Sequence, residues 1–319
     1  MRGFFLSKIA THTHSSHNIS MKKIFKIVCI MAFCSSCAFF NKKIEKLVEP
    51  VPVTKEKLDV PIKLQEVDAY NGFAKKVFIK LNEKVEMINI TCFGKKVGFD
   101  RTNSGIRVFF SVPYKHKEKT YKCFLETKSY SKREILVIHV KKYPYQEEFL
   151  KVPKKHVDLA TKDIERWKKE VLELKKVYEA SILKRALFTE PFARPLPSKI
   201  TSSYGKRRVF NNKKDSWHSG VDFRARTPTE IPSSNRGKIA FTGHLFFNGN
   251  TVIIDHGLGI FTMYCHLSKI NALVGEIVPK GAIVGISGNT GRSNAPHLHW
   301  GVKVAENWIN GLSLIKQGI

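Results

Sequence analysis

Four side chains in the last third of the chain have the spacing of a metal site. His218 and Asp222 are four residues apart, and His297 and His299 are two apart. In an extended segment such even spacings place both side chains of a pair on one face of a sheet. Two imidazoles and a carboxylate from two segments would leave a fourth zinc position open to water, as hydrolytic sites require, whereas structural zinc is usually closed by four protein ligands. The remaining histidine would be free for proton transfer.

A His-x-His pair alone is a weak signal, because separate core or surface histidines give the same pattern. Its surroundings strengthen it: Gly285–Arg292 (GISGNTGR) leads into the pair, and Tyr264–Leu267 (YCHL) supplies another histidine. Together these segments resemble the lysostaphin-type (LytM-like) zinc metalloendopeptidases, which cut peptide crosslinks in bacterial peptidoglycan. The signatures of that family are His-x-Gly-x-Asp, Tyr-x-His-Leu, Gly-x-Thr-Gly and Pro-His-Leu-His. All four occur here in order, within residues 190–312.

The resemblance implies one zinc ion per chain, held by His218, Asp222 and His299. It implies that His266 and His297 form an unliganded catalytic pair. A zinc-activated water would attack the amide carbonyl, a neutral imidazole would take its proton, and the second imidazole or the metal would stabilise the oxyanion. Which histidine is the general base stays open. The chain carries no His-Glu-x-x-His, which excludes the helix-borne thermolysin type of site.

Two other classes of function compete with a peptidase. Residues 275–285 resemble the hairpin that these peptidases share with biotinyl and lipoyl carrier domains. A carrier presents a modifiable lysine at a tight turn and has no use for His-x-Gly-x-Asp, so we set it aside. The stronger alternative is a non-catalytic cell-wall-binding regulator of the same fold, an amidase activator that has lost metal ligands. No ligand is replaced here, which favours the enzyme.

The strand pattern predicts a mainly β protein. Between residues 238 and 304, short β-rich segments are separated by Gly, Asn and Pro, as in an antiparallel sheet or open barrel. We therefore expect the zinc endopeptidase domain to occupy residues 190–319.

The preceding region predicts two further pieces. Alternating strands within residues 58–150 suggest a small immunoglobulin-like β-sandwich. Residues 156–186 read as a connecting helix, because apolar residues from Leu159 to Tyr178 recur at helical spacing. We expect this helix to pack against a neighbouring domain rather than to form a dimeric coiled coil.

The N-terminus predicts export. Residues 1–37 are interpreted as a leader and signal peptide, with translation starting at Met21, because a basic start precedes a short apolar stretch at 24–33. That stretch is too short for a permanent membrane span. Cys37 follows two small residues as in a bacterial lipobox and is a candidate for lipidation, the alternative being ordinary secretion. Residues 38–57 read as a tether. The expected location is the cell envelope, as a periplasm-facing membrane lipoprotein, or outside the cell.

The other cysteines fit an exported chain. Cys92 and Cys123 are candidates for a disulfide, which oxidising compartments permit, although two buried free thiols would also suit the sequence. Cys265 adjoins His266, and strand alternation would place it on the opposite side of the strand, as a core residue rather than a ligand.

The charge indicates the kind of partner. The chain carries a formal net charge of +28. An exported chain does not meet nucleic acid, so anionic lipid headgroups and cell-wall polymers are the expected partners. We expect a monomer that acts on peptidoglycan and reaches the membrane through a lipid anchor if Cys37 is acylated.

Overall fold

A computed structural model describes residues 62–81, 86–128, 132–150, 160–181, 185–210 and 214–319. The predicted leader and signal peptide (1–37), the lipidation candidate Cys37 and the tether (38–57) lie outside these residues. Within the described ranges, no helix combines the length and apolar character needed to cross a membrane.

The N-terminal half is built from nine strands. The strands are β1 (Gln65–Tyr70), β2 (Ala74–Lys80), β3 (Met87–Cys92), β4 (Lys95–Lys96), β5 (Gly98–Thr102), β6 (Gly105–Ser111), β7 (Thr120–Thr127), β8 (Arg133–Lys141) and β9 (Glu147–Leu150). The first eight form a five-stranded sheet in the order β1-β8-β7-β3-β4 and a three-stranded sheet in the order β2-β6-β5. Their apolar faces contribute Ile79, Ile106 and Leu136 to the buried core. Two sheets around one core match the expected sandwich.

A disulfide ties two strands of the larger N-terminal sheet together. Cys92 at the end of β3 lies directly opposite Cys123 on β7 in the antiparallel ladder. The two are joined by a disulfide and both are buried. Of the two possibilities that the sequence allowed, the structure contains the disulfide.

The C-terminal half is also mostly β. It contains helix α1 (Thr161–Glu179), then β10 (Ile200–Ser202), β11 (Arg207–Phe210), β12 (Lys214–Trp217), β13 (Gly220–Arg224), β14 (Glu230–Pro232), β15 (Gly237–Leu245), β16 (Gly249–Asp255), β17 (Ile260–Leu267), β18 (Lys269–Ile270), β19 (Ile277–Val278), β20 (Ile283–Ile286), β21 (His297–Val304), β22 (Asn307–Ile309) and helix α2 (Gly311–Lys316). Its main sheet has the order β10-β13-β21-β17-β16-β15-β19, with β22 paired to β21. Every pair in this sheet is antiparallel, which confirms the predicted fold class.

Strand β9 joins the two halves of the chain. It pairs in parallel with β11, which pairs antiparallel with β12. Glu148 of β9 forms ion pairs with Lys206 at 3.0 Å and Arg208 at 3.4 Å. A strand from the region assigned to the sandwich thus extends a sheet whose other strands lie in the region assigned to the peptidase. The boundaries drawn from sequence stay predictions.

Helix α1 packs on the main sheet through its last turns. The Tyr178 ring lies edge-on to Phe261 at 5.0 Å and to Trp308 at 6.0 Å, and Tyr178 is buried. Earlier in the same apolar stripe, Trp167 and Val171 remain 43% and 47% exposed. The helix therefore packs against neighbouring strands, as expected, but buries only part of its stripe.

His256, in the turn after β16, makes the stability of the fold depend on pH. Its Nδ1–H donates to the Arg236 carbonyl at 2.8 Å, and its Nε2 lies 2.8 Å from Thr262 Oγ1. Burial lowers the pKa of His256 to about 4. The unfolded chain takes up a proton near pH 6.5 and the folded chain only near pH 4, so stability is lost as the pH falls through that window.

We expect this histidine to account for roughly 3 kcal/mol of the free energy of unfolding lost between pH 7 and pH 4. The free energy of unfolding, measured with urea, should fall less steeply between pH 7 and pH 4 for His256→Gln than for the parent. Parallel curves for the parent and His256→Gln would contradict the assignment.

Candidate metal centre

Two candidate ligands face each other across the middle of the main sheet. Asp222 on β13 is directly opposite His299 on β21. Directly opposed residues of an antiparallel pair lie on the same face of the sheet. His299 Nδ1 lies 2.9 Å from Asp222 Oδ1. The predicted alternation of these segments therefore brings a carboxylate and an imidazole together.

His218 enters from the loop between β12 and β13. Its Nδ1–H donates to the Ser203 carbonyl at 2.8 Å, which leaves Nε2 without a proton in the neutral ring. This Nε2 lies 3.0 Å from Asp222 Oδ1 and 3.1 Å from His299 Nδ1. A second hydrogen bond that fixes the tautomer of a ligand histidine is typical of protein metal sites.

The donor atoms of these three residues fit a zinc ion. Bonds of about 2.0–2.1 Å at tetrahedral angles place ligand atoms about 3.3 Å apart, and the three atoms here are 2.9–3.1 Å apart. The side chains of His218, Asp222 and His299 are only 11%, 16% and 11% exposed. The only group of three or more metal-ligating side chains that meets in the described part of the chain is this one.

The electrostatics of the group also favour a cation. Burial raises the pKa of Asp222, but its contacts with the imidazoles of His218 and His299 lower it by more, so the carboxyl stays ionised. Burial lowers the pKa of His299, against the opposing effect of Asp222. A neutral imidazole and an ionised carboxylate are the protonation states in which these groups bind metal.

His266 reaches the site because the strand is irregular at this residue. Its backbone φ is +61°, in the left-handed region that residues other than glycine seldom adopt. Its amide donates to the Asn248 carbonyl at 2.8 Å, and its ring Nδ1–H donates to the Thr290 carbonyl at 2.8 Å. Burial, with smaller contributions from His299 and His297, lowers the pKa of His266 to about 4.

This irregularity changes the expected position of Cys265. Between two regular pairs of the β16–β17 ladder, the two residues Cys265 and His266 of β17 lie opposite the single residue Thr251 of β16. This two-to-one arrangement is a β-bulge. Cys265 lies directly opposite His299, hence on the face of the ligands. The prediction that Cys265 and His266 point to opposite sides was wrong, because the positive φ interrupts the alternation. Cys265 is nevertheless a fully buried free thiol in the core, as interpreted from the sequence.

His297 completes the cluster. It lies two residues before His299 on β21, and its Nδ1–H donates to the Ala295 carbonyl at 2.8 Å. Its Nε2 is 3.7 Å from Asp222 Oδ1, and its ring centre is 4.7 Å from that of His266. The structure thus brings all five predicted site residues together.

The partners that orient these histidines were not found from sequence. Three of them are backbone carbonyls, those of Ser203, Thr290 and Ala295, and carbonyls carry no sequence signal. Gly220 could have been found, because it is the glycine of the His-x-Gly-x-Asp motif. A Cβ on Gly220 would lie 2.7 Å from the His299 ring and 2.6 Å from the Trp300 carbonyl oxygen.

An aromatic stack supports the segment that carries His218. The preceding residue, Trp217, stacks on Tyr114 with ring centres 4.3 Å apart and planes 9° apart. Tyr114 comes from the N-terminal half, and its hydroxyl donates to the Gly205 carbonyl at 2.9 Å. The His218 carbonyl accepts a hydrogen bond from the Gly205 amide at 2.8 Å. The N-terminal half therefore helps to hold one side of the candidate metal centre.

We expect Gly220→Ala to weaken zinc binding by roughly tenfold or more, because the added methyl group must displace the His299 ring or the β21 backbone. Competition with a chromophoric chelator measures the affinity. Gly243→Ala is a suitable control, since its Cβ would meet only the end of the Phe241 ring, at 2.9 Å. Equal zinc affinity in parent and Gly220→Ala would show that this glycine is not needed for ligand placement.

Known proteins resemble the C-terminal half of the chain most clearly. Residues 216–311 match the sequence profile of peptidase family M23. The peptidoglycan DD-endopeptidase ShyA of Vibrio cholerae is 37% identical over 121 residues, which is 37% of this chain and 28% of ShyA. The DD-carboxypeptidase/endopeptidase Mpg of Neisseria meningitidis is 37% identical over 97 residues, 30% of this chain and 22% of Mpg. The match thus spans less than a third of either relative.

A solved structure extends the likeness beyond this region. A crystal structure from Pseudomonas aeruginosa, described as a peptidase M23, is 26% identical with a TM-score of 0.60. It covers 78% of this chain, and the match takes in 95% of that one. The profile match falls on the segment that holds all five clustered side chains, so residues 216–311 carry a domain of peptidase family M23.

Proposed function

We propose that the protein is a zinc-dependent endopeptidase that hydrolyses peptide crosslinks of bacterial peptidoglycan. The observation that carries this proposal is the convergence of three mostly buried metal-ligating side chains, His218, Asp222 and His299, beside two further histidines. A non-catalytic regulator has no need for a complete ligand set with proton-transfer groups next to it.

The metal would be held by His218 through Nε2, Asp222 through Oδ1 and His299 through Nδ1. When bound there, zinc would lower the pKa of a coordinated water towards neutrality and polarise the substrate carbonyl. The protein contributes the orientation of the ligands, because the tautomer of His218 is fixed by the Ser203 carbonyl, 2.8 Å from Nδ1.

The two remaining histidines supply proton transfer. In both His266 and His297, Nδ1–H donates to a backbone carbonyl at 2.8 Å. Each neutral ring therefore offers Nε2 as an acceptor, which can take the proton of the attacking water. Once protonated, the same atom becomes a donor that can stabilise the oxyanion or return the proton to the leaving amine.

The names of the relatives favour one class of bond. ShyA is called a peptidoglycan DD-endopeptidase and Mpg a DD-carboxypeptidase/endopeptidase. We propose that this chain likewise cuts a peptide bond between D-residues of the crosslink. A net charge of +28 would favour its association with anionic polymers of the cell wall.

The same proposal places the protein in the cell envelope, as a monomer. Peptidoglycan lies outside the inner membrane, so its hydrolase must be exported. Signal cleavage before Cys37 and acylation of that cysteine would anchor the protein on the membrane that faces its substrate.

We expect His299→Ala to abolish both zinc binding and activity, because it leaves two ligands. His266→Ala should retain zinc while kcat falls on the order of a hundredfold or more, since it removes only a proton-transfer group. Metal content, and mass spectrometry of the fragments released from purified peptidoglycan, measure the two effects.

The matched control is His139→Ala, a histidine of the N-terminal half that should change neither property. Full zinc occupancy in His299→Ala would overturn the ligand assignment. Parent-like digestion by His266→Ala would remove this histidine from the catalytic pair. A zinc-loaded parent that releases no fragments, but stimulates an amidase on the same substrate, would replace the enzyme with the regulator.

For the anchor, we expect Cys37→Ala to move the protein from the membrane fraction to the soluble fraction at high salt. A multiply acylated cysteine binds a bilayer stably, whereas basic segments alone are released by salt. Fractionation and immunoblotting give the result. A Cys37→Ala protein that stays with membranes in high salt would show that lipid at this position is not the anchor.

A further inference from the structure

We infer that Glu170 of helix α1 is a positioning residue for His266, and that the helix is therefore a working part of the active site. The inference rests on the proposed function only in taking His266 as catalytic. Glu170 lies outside residues 216–311, the segment matched by the family profile. The connection runs through residues 246–249, which are the turn between β15 and β16 and the first residue of β16, and which we call the hairpin tip.

The first link joins the helix to the hairpin tip. The side chain of Glu170 is only 14% exposed. Both of its carboxylate oxygens accept the Phe246 amide, at 3.1 and 3.0 Å. Arg166, one helical turn earlier, donates to Glu170 Oε1 at 2.8 Å and to the His244 carbonyl at 3.2 Å. A carboxylate that accepts a backbone amide in a largely dry setting makes a strong, oriented contact.

Aromatic contacts add to this link. The Trp167 ring lies edge-on to the Phe247 ring, with centres 6.1 Å apart. The Arg292 guanidinium lies 5.6 Å from the centre of the same Phe247 ring. The hairpin tip is thus packed between the helix on one side and the segment that precedes His297 on the other.

The second link joins the hairpin tip to His266. The Asn248 carbonyl accepts the His266 amide at 2.8 Å, and the Phe247 carbonyl accepts the Arg292 amide at 2.9 Å. The Thr290 carbonyl accepts the hydrogen bond from the His266 ring, and the Thr290 hydroxyl oxygen accepts a hydrogen bond from the Asn250 amide at 2.9 Å. The backbone and the ring of His266 are therefore both bonded to groups that are held by the hairpin tip and by the residue that follows it.

His266 needs such support because of its conformation. A φ of +61° is unfavourable for a side chain with a Cβ and persists only where neighbouring contacts impose it. The approach of the tip to Thr290 is also close, since a Cβ on Gly249 would lie 2.3 Å from Thr290 Oγ1. If the Glu170 side chain is removed, the hairpin tip loses the hydrogen bond between the Phe246 amide and the helix. The Asn248 carbonyl, which accepts the His266 amide, is then held less firmly.

The test compares Glu170→Ala with Glu170→Gln, which keeps one oxygen acceptor for the Phe246 amide. Glu173→Ala is the control, because Glu173 is an exposed glutamate of the same helix. For each full-length protein, zinc content, kcat and KM on a purified crosslinked muropeptide dimer, and amide hydrogen exchange of His266 by NMR would be measured.

We expect Glu170→Ala to lower kcat roughly tenfold to a hundredfold at unchanged KM and zinc content, because the proton-transfer group is misplaced. The His266 amide should exchange faster. Glu170→Gln should recover most of both properties, and Glu173→Ala should match the parent.

Parent-like exchange of the His266 amide in Glu170→Ala would overturn the inference, whatever the activity. If Glu170→Ala fails to fold, the same comparison is made with Glu170→Leu, which also removes the acceptor of the Phe246 amide, and parent-like exchange of the His266 amide in that variant would overturn the inference. If the parent itself is inactive, the proposed function fails, but the exchange measurement still decides whether helix α1 holds His266.

Discussion

The register of three neighbouring strands is the constraint on which the site depends. Asp222 on β13 opposes His299 on β21, which opposes Cys265 on β17. A slip of one residue would turn the ligands to the other face. That other face carries Trp300, fully buried in the main core, and a slip of one residue would turn this large ring away from that core. Core packing and ligand placement are therefore fixed by the same choice of register.

The cost of burying the ligands gives the site its chemical character. Three polar side chains, each less than a fifth exposed, meet within 3.1 Å of one another. In an apolar core the burial of such groups destabilises the fold unless each of them has a partner of opposite charge or a hydrogen bond. Here a carboxylate between two imidazoles remains ionised despite its burial. A divalent cation bound there would satisfy all three side chains at once.

The predictable part of the structure is the part that follows strand periodicity. The spacing of His297 and His299 correctly indicated that both lie on one face, since β21 is regular there. The role of His266 came only from family resemblance, because a bulge with positive φ turns it towards the ligands against the alternation. Its adjacent residue Cys265 was misplaced for the same reason. Such a local departure from the strand's alternation depends on hydrogen bonds between residues that are distant in sequence, such as the bond from the His266 amide to the Asn248 carbonyl. The periodicity of a single strand does not reveal them.

Periodicity alone did not show how the first half of helix α1 is used. Its apolar stripe predicted packing against a neighbouring domain, yet Val171 on that stripe remains 47% exposed while the polar Glu170 is 14% exposed. The helix is long enough to pass beyond the sheet that buries Tyr178. Its first half then meets the turn between β15 and β16, where an unpaired backbone amide calls for an acceptor. A carboxylate satisfies that amide, so a polar residue is buried where the pattern alone favours an apolar one.

These differences separate the site residues into two kinds. Asp222 and His299 are held by the ladder and need nothing beyond the sheet. His218 and His266 lie where the ladder ends or bulges, and each depends on segments earlier in the chain. Tyr114 stacks on the residue before His218, and helix α1 bonds to the hairpin tip that holds His266. The side chains that the sheet cannot fix are thus supported by Tyr114 of the N-terminal half and by helix α1, so both segments act as part of the candidate metal centre rather than as independent attachments.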